Sequence, residues 1–241
     1  MHSSNQEPKI GIIIPCYNHA EYVEEAILSV LKQDYPNKAI YISDEGSTDD
    51  SWNVASRVLD TVETNVKMFL SKNENPNGPS GARNRLIKTA WEDCDAFMML
   101  DADDYYLPGK IEKSVDKMLD GEGIVGIVYT DAIIYHHNSK LSIREYREPY
   151  SRQRIEQECI ISNTPLVTKQ ALSQAGLYDE SMRTAEDWDL WLRITQQFVA
   201  VHIPEALHVY RVTGKNASNV VPREVWEENW KKIGERIHAR Y

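Results

Sequence analysis

Short apolar runs alternate with amphipathic segments in the first part of the chain. The runs at 10–14, 38–43, 66–70 and 96–100 are short and bounded by polar residues, which is typical of buried strands. The segments between them carry apolar residues three or four positions apart, which is the spacing of a helix that buries one face. This alternation predicts four β-α units and therefore an α/β fold, with a mostly parallel central sheet and helices on both faces.

The pattern is less regular in the second part of the chain. Strands are predicted at 124–130 and 133–136, followed by a hairpin turn at 138–139. The apolar residues at 199–210 predict two short strands separated by Pro204, because proline interrupts a strand. Helices are predicted at 168–175 and 185–197, and the charged stretch at 144–158 is predicted to be a mobile loop or an exposed helix.

The domain organisation follows from the absence of any stretch with linker composition and of any internal repeat. We predict one domain at 9–221, with a nucleotide-binding half at 9–104 and a smaller acceptor-side subdomain at 105–221. A disordered N-terminus at 1–8 and an amphipathic C-terminal helix at 222–241 complete the prediction. The apolar stripe of that helix predicts docking on its own domain, and contact with a second copy in a homodimer or with a membrane surface stays open.

Composition excludes several classes of protein. The hydrophobic fraction of 41% suffices for a sizeable core, and no apolar run reaches the roughly 18 residues of a membrane span. A net charge of −10 without a basic stripe argues against a nucleic-acid partner. The three cysteines are widely spaced, so we expect free thiols and no zinc cluster. The polar N-terminal residues contain no signal-peptide core, so we expect a cytoplasmic protein, with peripheral membrane association as an alternative.

Three carboxylates directly follow the fourth predicted strand. Asp101, Asp103 and Asp104 lie within four positions, and a divalent cation would relieve their mutual repulsion. Open α/β sheets bind ligands at strand ends, so this position favours a metal–phosphate site. The structural alternative is a solvated turn or a helix N-cap, since Pro108 indicates that a helix follows.

Residues with ligand-binding chemistry also follow the other predicted strands. Pro15, Tyr17 and Asn18 follow the first strand, and Asp44 follows the second. Arg83 lies near the start of a helix predicted at about 81–91, after a loop predicted at 73–80 from its Asn, Pro and Gly residues. A parallel sheet brings these ends to one edge, which then offers an aromatic ring, a carboxylate for a base N–H, an arginine and paired carboxylates. That inventory suits a nucleoside diphosphate, whereas the G-x-G-x-x-G and P-loop motifs are absent from the sequence.

Five stretches occur in an order shared with a known family. They are IIIPCYN at 12–18, SDEGSTD at 43–49, GARN at 81–84, LDADD at 100–104 and AEDWDLWLR at 185–193. Together they resemble the family 2 glycosyltransferases of the GT-A fold over most of the chain. The resemblance implies a Rossmann-like GT-A fold and an inverting, metal-dependent enzyme that uses a nucleotide-sugar donor, with a UDP-sugar favoured.

The resemblance assigns residues to the donor site. Asp103 would ligate the metal, Mn²⁺ or Mg²⁺, and Asp101 would act on the ribose or on the waters of the metal. The metal would bridge the diphosphate oxygens and stabilise the leaving group. Asp44 would contact the uracil ring, Tyr17 would stack near that base, and Arg83 would help to hold the nucleotide. The full predicted nucleotide-binding set is Pro15, Tyr17, Asn18, Asp44, Arg83, Asp101, Ala102 and Arg211.

The resemblance also assigns Asp187 as the general base, with Glu186 beside it as the second catalytic residue. A base on the face opposite the leaving diphosphate gives a single displacement and inversion. Acids in the first turn of a helix are ordinarily partners of the helix dipole, which is the structural alternative. Trp188 is predicted to bind the acceptor, whereas Trp191 is predicted to pack in the core.

The segment that follows Tyr210 departs from the family pattern. Arg211 would bind the diphosphate, but many relatives carry a histidine two positions later, where this chain has Thr213. His208 is a candidate substitute, although a lone histidine in a strand more often packs in the interior. The segment 216–218 would belong to a mobile loop that covers the donor. Glu45 replaces the second acid of the loop that contacts the base.

We therefore predict a glycosyltransferase of the hexosyltransferase class that moves a sugar from a UDP-sugar to a hydroxyl of a glycan, lipid-linked or protein acceptor. A nucleotidyltransferase is an alternative, but it usually has a Gly-rich loop with basic residues after the first strand, which 15–20 lacks. A non-catalytic nucleotide-sugar-binding domain is a second alternative. The intact Asp101, Asp103 and Asp187 argue against it.

Overall fold

The computed structural model describes residues 7–214, 216 and 220–239, and within these residues nine strands form one sheet that is accompanied by eight helices. The strands are β1 (Ile10–Cys16), β2 (Lys38–Asp44), β3 (Lys67–Lys72), β4 (Ala96–Met99), β5 (Tyr105–Tyr106), β6 (Val125–His136), β7 (Leu141–Glu145), β8 (Leu166–Thr168) and β9 (Val199–Val212). The helices are α1 (Val23–Leu31), α2 (Ser51–Thr61), α3 (Gly78–Ala90), α4 (Lys110–Asp120), α5 (Arg152–Ile155), α6 (Lys169–Ala175), α7 (Glu186–Ile194) and α8 (Arg223–His238).

The sheet has the order β3-β2-β1-β4-β8-β6-β9-β5, and β7 pairs with β6. The four strands β3, β2, β1 and β4 are mutually parallel, as the β-α pattern of the first part predicts. β6 and β9 are also parallel, whereas β8 is antiparallel to both β4 and β6. The predicted α/β class is therefore confirmed. The sheet becomes mixed where its two parts join.

Successive residues of β1 point to opposite faces of the sheet. Ile13 belongs to a core that includes residues of α3, α6 and α7, while Ile12 and Ile14 belong to a second core with residues of α1, α2 and α4. All three isoleucines are fully buried. Helices therefore cover both faces, and the unbroken apolar sequence of β1 reflects burial on both sides.

One continuous strand replaces the two short strands predicted on either side of Pro204. The register of β9 against β6 shifts between Ile203 and Ala206. This irregularity takes Pro204 out of the ladder, so its missing N–H leaves no ladder acceptor unpaired. β6 is also one strand where two were predicted, and its predicted hairpin with β7 is confirmed.

Two further segments differ from their predicted structure. α3 begins at Gly78, before the predicted start at Gly81, with Pro79 in the first turn, where a helix tolerates the missing N–H. The stretch 144–158 contains the end of β7 and the short helix α5, and Ile155 of that helix is fully buried. This stretch therefore contributes to the core as well as to the surface.

The C-terminal helix α8 docks on its own domain along one side. Ile233 and Asn229 are buried, and Trp226 and Ile237 pack partly buried against the core that contains α7. Trp230 remains 47% exposed. The apolar stripe read from the sequence is therefore divided between a packed side and an open one.

Two predictions fall on residues that the structure does not describe. The predicted disordered N-terminus lies outside the described residues except for Glu7 and Pro8, and the predicted mobile loop lies outside them except for Asn216. In the described part of the chain, none of the helices is both long and apolar enough to span a bilayer. The three cysteines are free thiols, as expected.

Candidate active site

The carboxyl ends of β1 and β4 open into a cleft of about 1270 Å³. Residues after these strands, the N-terminal part of α3, the start of α7 and one side of α8 form its walls. The strand ends thus meet at one edge, as a parallel arrangement requires. The predicted site residues that line the cleft are Pro15, Tyr17, Asn18, Arg83, Asp101, Ala102, Asp103, Glu186, Asp187 and Trp188.

Arg83 connects the carboxylate loop after β4 to the start of α7. Its Nη1 donates to Glu186 Oε1 and its Nη2 to Asp101 Oδ1, both at 2.7 Å. Burial by itself would lower the pKa of Arg83, but the two carboxylates outweigh burial and raise that pKa well above its usual value. The guanidinium therefore stays charged and compensates one acid from each half of the chain.

Asp104 has a structural role that the sequence pattern did not distinguish from those of its neighbours. It is fully buried, and its two oxygens accept hydrogen bonds from the Arg211 N–H at 2.9 Å and from Asn163 Nδ2 at 3.1 Å. These contacts join the carboxylate loop to β9. Of the three adjacent acids, only Asp101 and Asp103 therefore line the cleft.

Asp103 has the surroundings of an incompletely compensated carboxylate. Burial, together with the charge of Asp101, raises the pKa of Asp103 above its usual value, although Asp103 Oδ2 accepts a hydrogen bond from Asn216 Nδ2 at 3.1 Å. A cation would stabilise the ionised form, so the residues fit a divalent metal. No group of three His, Cys, Asp or Glu in the described ranges could hold a metal unaided, so phosphate oxygens and water would have to complete the shell.

Asp187 lies half-buried in the first turn of α7. Ala185 precedes that helix in the left-handed region, with φ of 55°. Burial and the charge of Glu186 raise the pKa of Asp187 to about 6, against opposing contributions from the Trp188 N–H and Arg83. A carboxylate with this pKa is mostly ionised at neutral pH, and it is a stronger base than an ordinary aspartate.

The loops after β1 and β2 contact each other beside the cleft. Asp44 is buried at the end of β2, and its Oδ1 has no hydrogen-bond partner in the described structure. An unpaired buried acceptor is costly. Asp44 and Arg211 are the two members of the predicted nucleotide-binding set that do not line the cleft. Asn18 Oδ1 accepts from the Thr48 N–H at 2.8 Å and so shapes the loop. Tyr17 is 55% exposed.

Arg211 supports the carboxylate loop from β9. Its Nη1 donates to the Asp103 carbonyl oxygen at 2.8 Å, and its Nη2 forms an ion pair with Glu25 of α1. The guanidinium carbon lies 4.5 Å from the centre of the Tyr105 ring. Arg211 is therefore held against the loop that carries Asp103. Its contact with a diphosphate stays a prediction.

His208 lies outside the cleft. It is 1% exposed within β9, and burial together with the charge of Lys110 lowers the pKa of this histidine well below its usual value. His208 is therefore a packed neutral residue and does not replace the histidine of the family pattern. Asn216 reaches Asp103 instead, and its Oδ1 accepts from the Thr213 N–H at 2.8 Å.

Trp188 and Trp191 lie in different surroundings, and only the prediction for Trp191 is tested by the structure. Trp191 is fully buried in the core, as expected. Trp188 lines the cleft, and its Nε1 donates to the Ile155 carbonyl at 2.6 Å, which fixes the edge of the ring. Acceptor binding by Trp188 remains a prediction.

Several polar contacts of the site were missed from sequence. Glu25 lies on α1 and Asn163 in an irregular segment, and no motif includes either residue. Asn216 lay in a segment singled out as a donor cover, but its hydrogen bond to Asp103 had no signal. Trp226 and Trp230 were assigned only to a helix stripe, and both line the cleft.

The site thus lies at the strand ends of a mixed α/β sheet and carries acidic and arginine side chains. The family model for glycosyl transferase family 2 matches residues 11–172, and the chain belongs to this family. An uncharacterized glycosyltransferase of Rickettsia felis is 32% identical over 219 residues, which cover 86% of this chain and 34% of that protein. The chain thus spans about a third of the length of the first curated relatives it matches.

Another relative has a more specific name and a similar length. The Escherichia coli protein WfgD is a UDP-Glc:alpha-D-GlcNAc-diphosphoundecaprenol beta-1,3-glucosyltransferase. It is 26% identical over 230 residues, which cover 95% of this chain and 86% of that protein.

Solved structures share the fold. Staphylococcus aureus TarS 1-349 in complex with UDP-GlcNAc has a TM-score of 0.70 at 18% identity, covering 89% of this chain and 61% of that one. The mannosyltransferase PcManGT of Pyrobaculum calidifontis, in complex with GDP-Man and Mn²⁺, has a TM-score of 0.69 at 18% identity, covering 88% and 59%. The predicted GT-A fold is therefore confirmed.

Proposed function

We propose that this chain transfers a sugar from a UDP-sugar to an acceptor hydroxyl with inversion, and that Asp187 is the general base. One observation carries the proposal. Asp187, with its pKa raised to about 6, lines the same cleft as Asp101 and Asp103, and Arg83 connects the two regions. A proton acceptor and a candidate diphosphate site thus face one space.

The reaction would be a single displacement. The acceptor oxygen attacks the anomeric carbon while its proton passes to Asp187, and the bond from that carbon to the diphosphate oxygen breaks. The products are the glycosylated acceptor and UDP. A base pKa near the working pH combines a large ionised fraction with useful basicity. No covalent enzyme intermediate is needed.

The donor assignment draws on the base-binding loop and on the relatives. The unpaired Oδ1 of buried Asp44 would accept the N–H of a uracil ring. UDP-GlcNAc is bound in the TarS structure, and the name of WfgD includes UDP-Glc, which favours a uridine nucleotide. Family membership also favours sugar transfer over nucleotidyl transfer.

The metal assignment rests on the carboxylates. Asp103 would ligate Mn²⁺ or Mg²⁺, with Asp101 beside it, and the Mn²⁺ of PcManGT supports this choice. The ion, when bound, would supply positive charge that stabilises the leaving diphosphate. Asn216 and Arg211 orient the Asp103 side chain and carbonyl. These two contacts prepare the loop for its ligands.

Calorimetric titration of UDP, with and without Mn²⁺, tests the donor site. We expect binding that strengthens with the metal and that is lost or weakened at least about tenfold by Asp103→Asn, since one metal ligand is removed. Asp120→Asn is the matched control, because Asp120 is an exposed acid at the end of α4. UDP binding that is insensitive to both the metal and Asp103→Asn would contradict the metal assignment. Absence of UDP binding would contradict the donor assignment.

A further inference from the structure

An aromatic pair lies in the cleft on the C-terminal helix. Trp226 and Trp230 occupy successive turns of α8, and both line the space that contains Asp187. Their ring centroids are 5.9 Å apart, and the ring planes are inclined by 50°. We propose that this pair forms a subsite for a pyranose ring of an uncharged saccharide acceptor. The inference rests on the proposed function and names the acceptor class.

The exposure of Trp230 calls for a ligand. Trp230 is 47% exposed, although an indole is among the largest apolar groups a protein can bury. Val220 also lines the cleft and is 60% exposed. Grouped apolar side chains at a surface mark binding sites more often than isolated ones do. The apolar C–H face of a pyranose would cover such a ring.

The packed side of α8 fixes the position of the two rings. Asn229 is 2% exposed, and its Nδ2 donates to the Thr184 carbonyl at 3.1 Å and to Thr184 Oγ1 at 2.9 Å. Arg236 forms an ion pair with Asp189 of α7. Thr184 lies just before the segment that carries Asp187. The helix that presents the tryptophans is therefore attached to the element that presents the base, which preorganises both for one ligand.

Charge favours a saccharide over a lipid surface. From 223 to 236, α8 has four basic and four acidic side chains, and the whole chain has a net charge of −10. A helix that binds anionic lipid has an excess of lysine and arginine on its polar face. Hydroxyl-bearing ligands also need polar partners, and the cleft supplies them. Polar residues lining the cleft include Gln157, Glu158 and Arg183.

Saturation-transfer difference NMR on the full chain, with UDP and Mn²⁺ present, tests the proposal. The probes are methyl β-D-glucopyranoside, methyl β-D-galactopyranoside and methyl N-acetyl-β-D-glucosaminide at millimolar concentration. We expect at least one glycoside to bind, with the strongest saturation on the protons of its C–H face. Trp226→Ala and Trp230→Ala should each weaken that binding about tenfold. Trp230→Phe should retain it within about threefold.

The controls separate this inference from the donor assignment. Trp52→Ala removes a half-buried tryptophan that lies outside the cleft, and it should leave glycoside binding unchanged. Calorimetric UDP affinity should be the same in the Trp230→Ala variant and the original chain. If the original chain does not bind UDP, the donor assignment is overturned. Glycoside binding that depends on Trp230 would still support the subsite in that case.

Three results would overturn the subsite. The first is no binding of any of the three glycosides up to about 100 mM, a concentration well above the millimolar affinities of weak ligands. The second is glycoside binding that both alanine variants retain. The third is Trp230-dependent binding to phosphatidylglycerol vesicles without glycoside binding, which would assign the aromatic pair to a lipid surface.

Discussion

Replacing Arg83 with methionine should destabilise the chain far more than loss of an ordinary ion pair. The guanidinium is 9% exposed and bonds Asp101 and Glu186, whose side chains are 27% and 12% exposed. Methionine fills similar space but leaves two poorly solvated carboxylates uncompensated. Removing one partner of a buried ion pair typically costs about 3–5 kcal/mol. Because Asp101 retains some contact with water, we expect a loss of about 3 kcal/mol in the free energy of unfolding.

Urea unfolding followed by circular dichroism measures this loss. Arg57→Met is the matched control, because Arg57 pairs with Glu24 at 3.5 Å and their side chains are 59% and 50% exposed. Such surface pairs contribute about 0–1 kcal/mol. Arg83→Lys should fall between the two, since an ammonium group lacks the planar fork that reaches both acids. An Arg83→Met variant no less stable than Arg57→Met would refute the bridging role.

Two further predictions concern pH. If Asp187 is the base with a pKa of about 6, kcat/KM for transfer should fall about tenfold per pH unit below pH 6. Asp187→Asn should abolish activity. A pH profile that stays flat below pH 6 would exclude Asp187 as the base. Burial lowers the pKa of Lys110 to about 7, against about 10.4 in an unfolded chain. Between these two pH values the unfolded state binds more protons than the folded state. The free energy of unfolding should therefore rise with pH in this range, by at most about 1.4 kcal/mol per pH unit. Lys110→Met should remove that slope in urea titrations from pH 7 to 10, and an unchanged slope would assign it to other groups.

The first part of the fold was predictable because its signals are local. Each strand of the β1–β4 set is a short apolar run, and each helix between them has its own periodic stripe. The second part was harder because its boundaries depend on partners distant in sequence. Pro204 interrupts a strand in most contexts, but here a register irregularity against β6 lets β9 continue past it. The start of α3 at Gly78 was missed because Asn, Pro and Gly residues also predict loops.

The residues of the site were more predictable than its electrostatics. Asp103 and Asp187 each belong to a motif whose own residues lie within a few positions of one another along the chain, so their residue types were visible from sequence. The pKa of Asp187 was not, because burial and Glu186 raise it, and Arg83, which opposes the rise, bonds Glu186 across 103 positions. The ion pair between Arg211 and Glu25 spans 186 positions, so it too could not be predicted from local sequence.

Contacts of this kind explain why five weak motifs occur together. The carboxylate loop after β4 is held from three directions, by Arg83 of α3, by Arg211 of β9 and by Asn163. A sequence that kept only the loop would present acids with too little compensation, since buried carboxylates without partners either protonate or destabilise the fold. Among the motifs themselves, Arg83 of GARN supplies charge to Asp101 of LDADD and to Glu186 of AEDWDLWLR, and Asn18 of IIIPCYN accepts a hydrogen bond from Thr48 of SDEGSTD. The ordered set indicates the site more strongly than any single motif does.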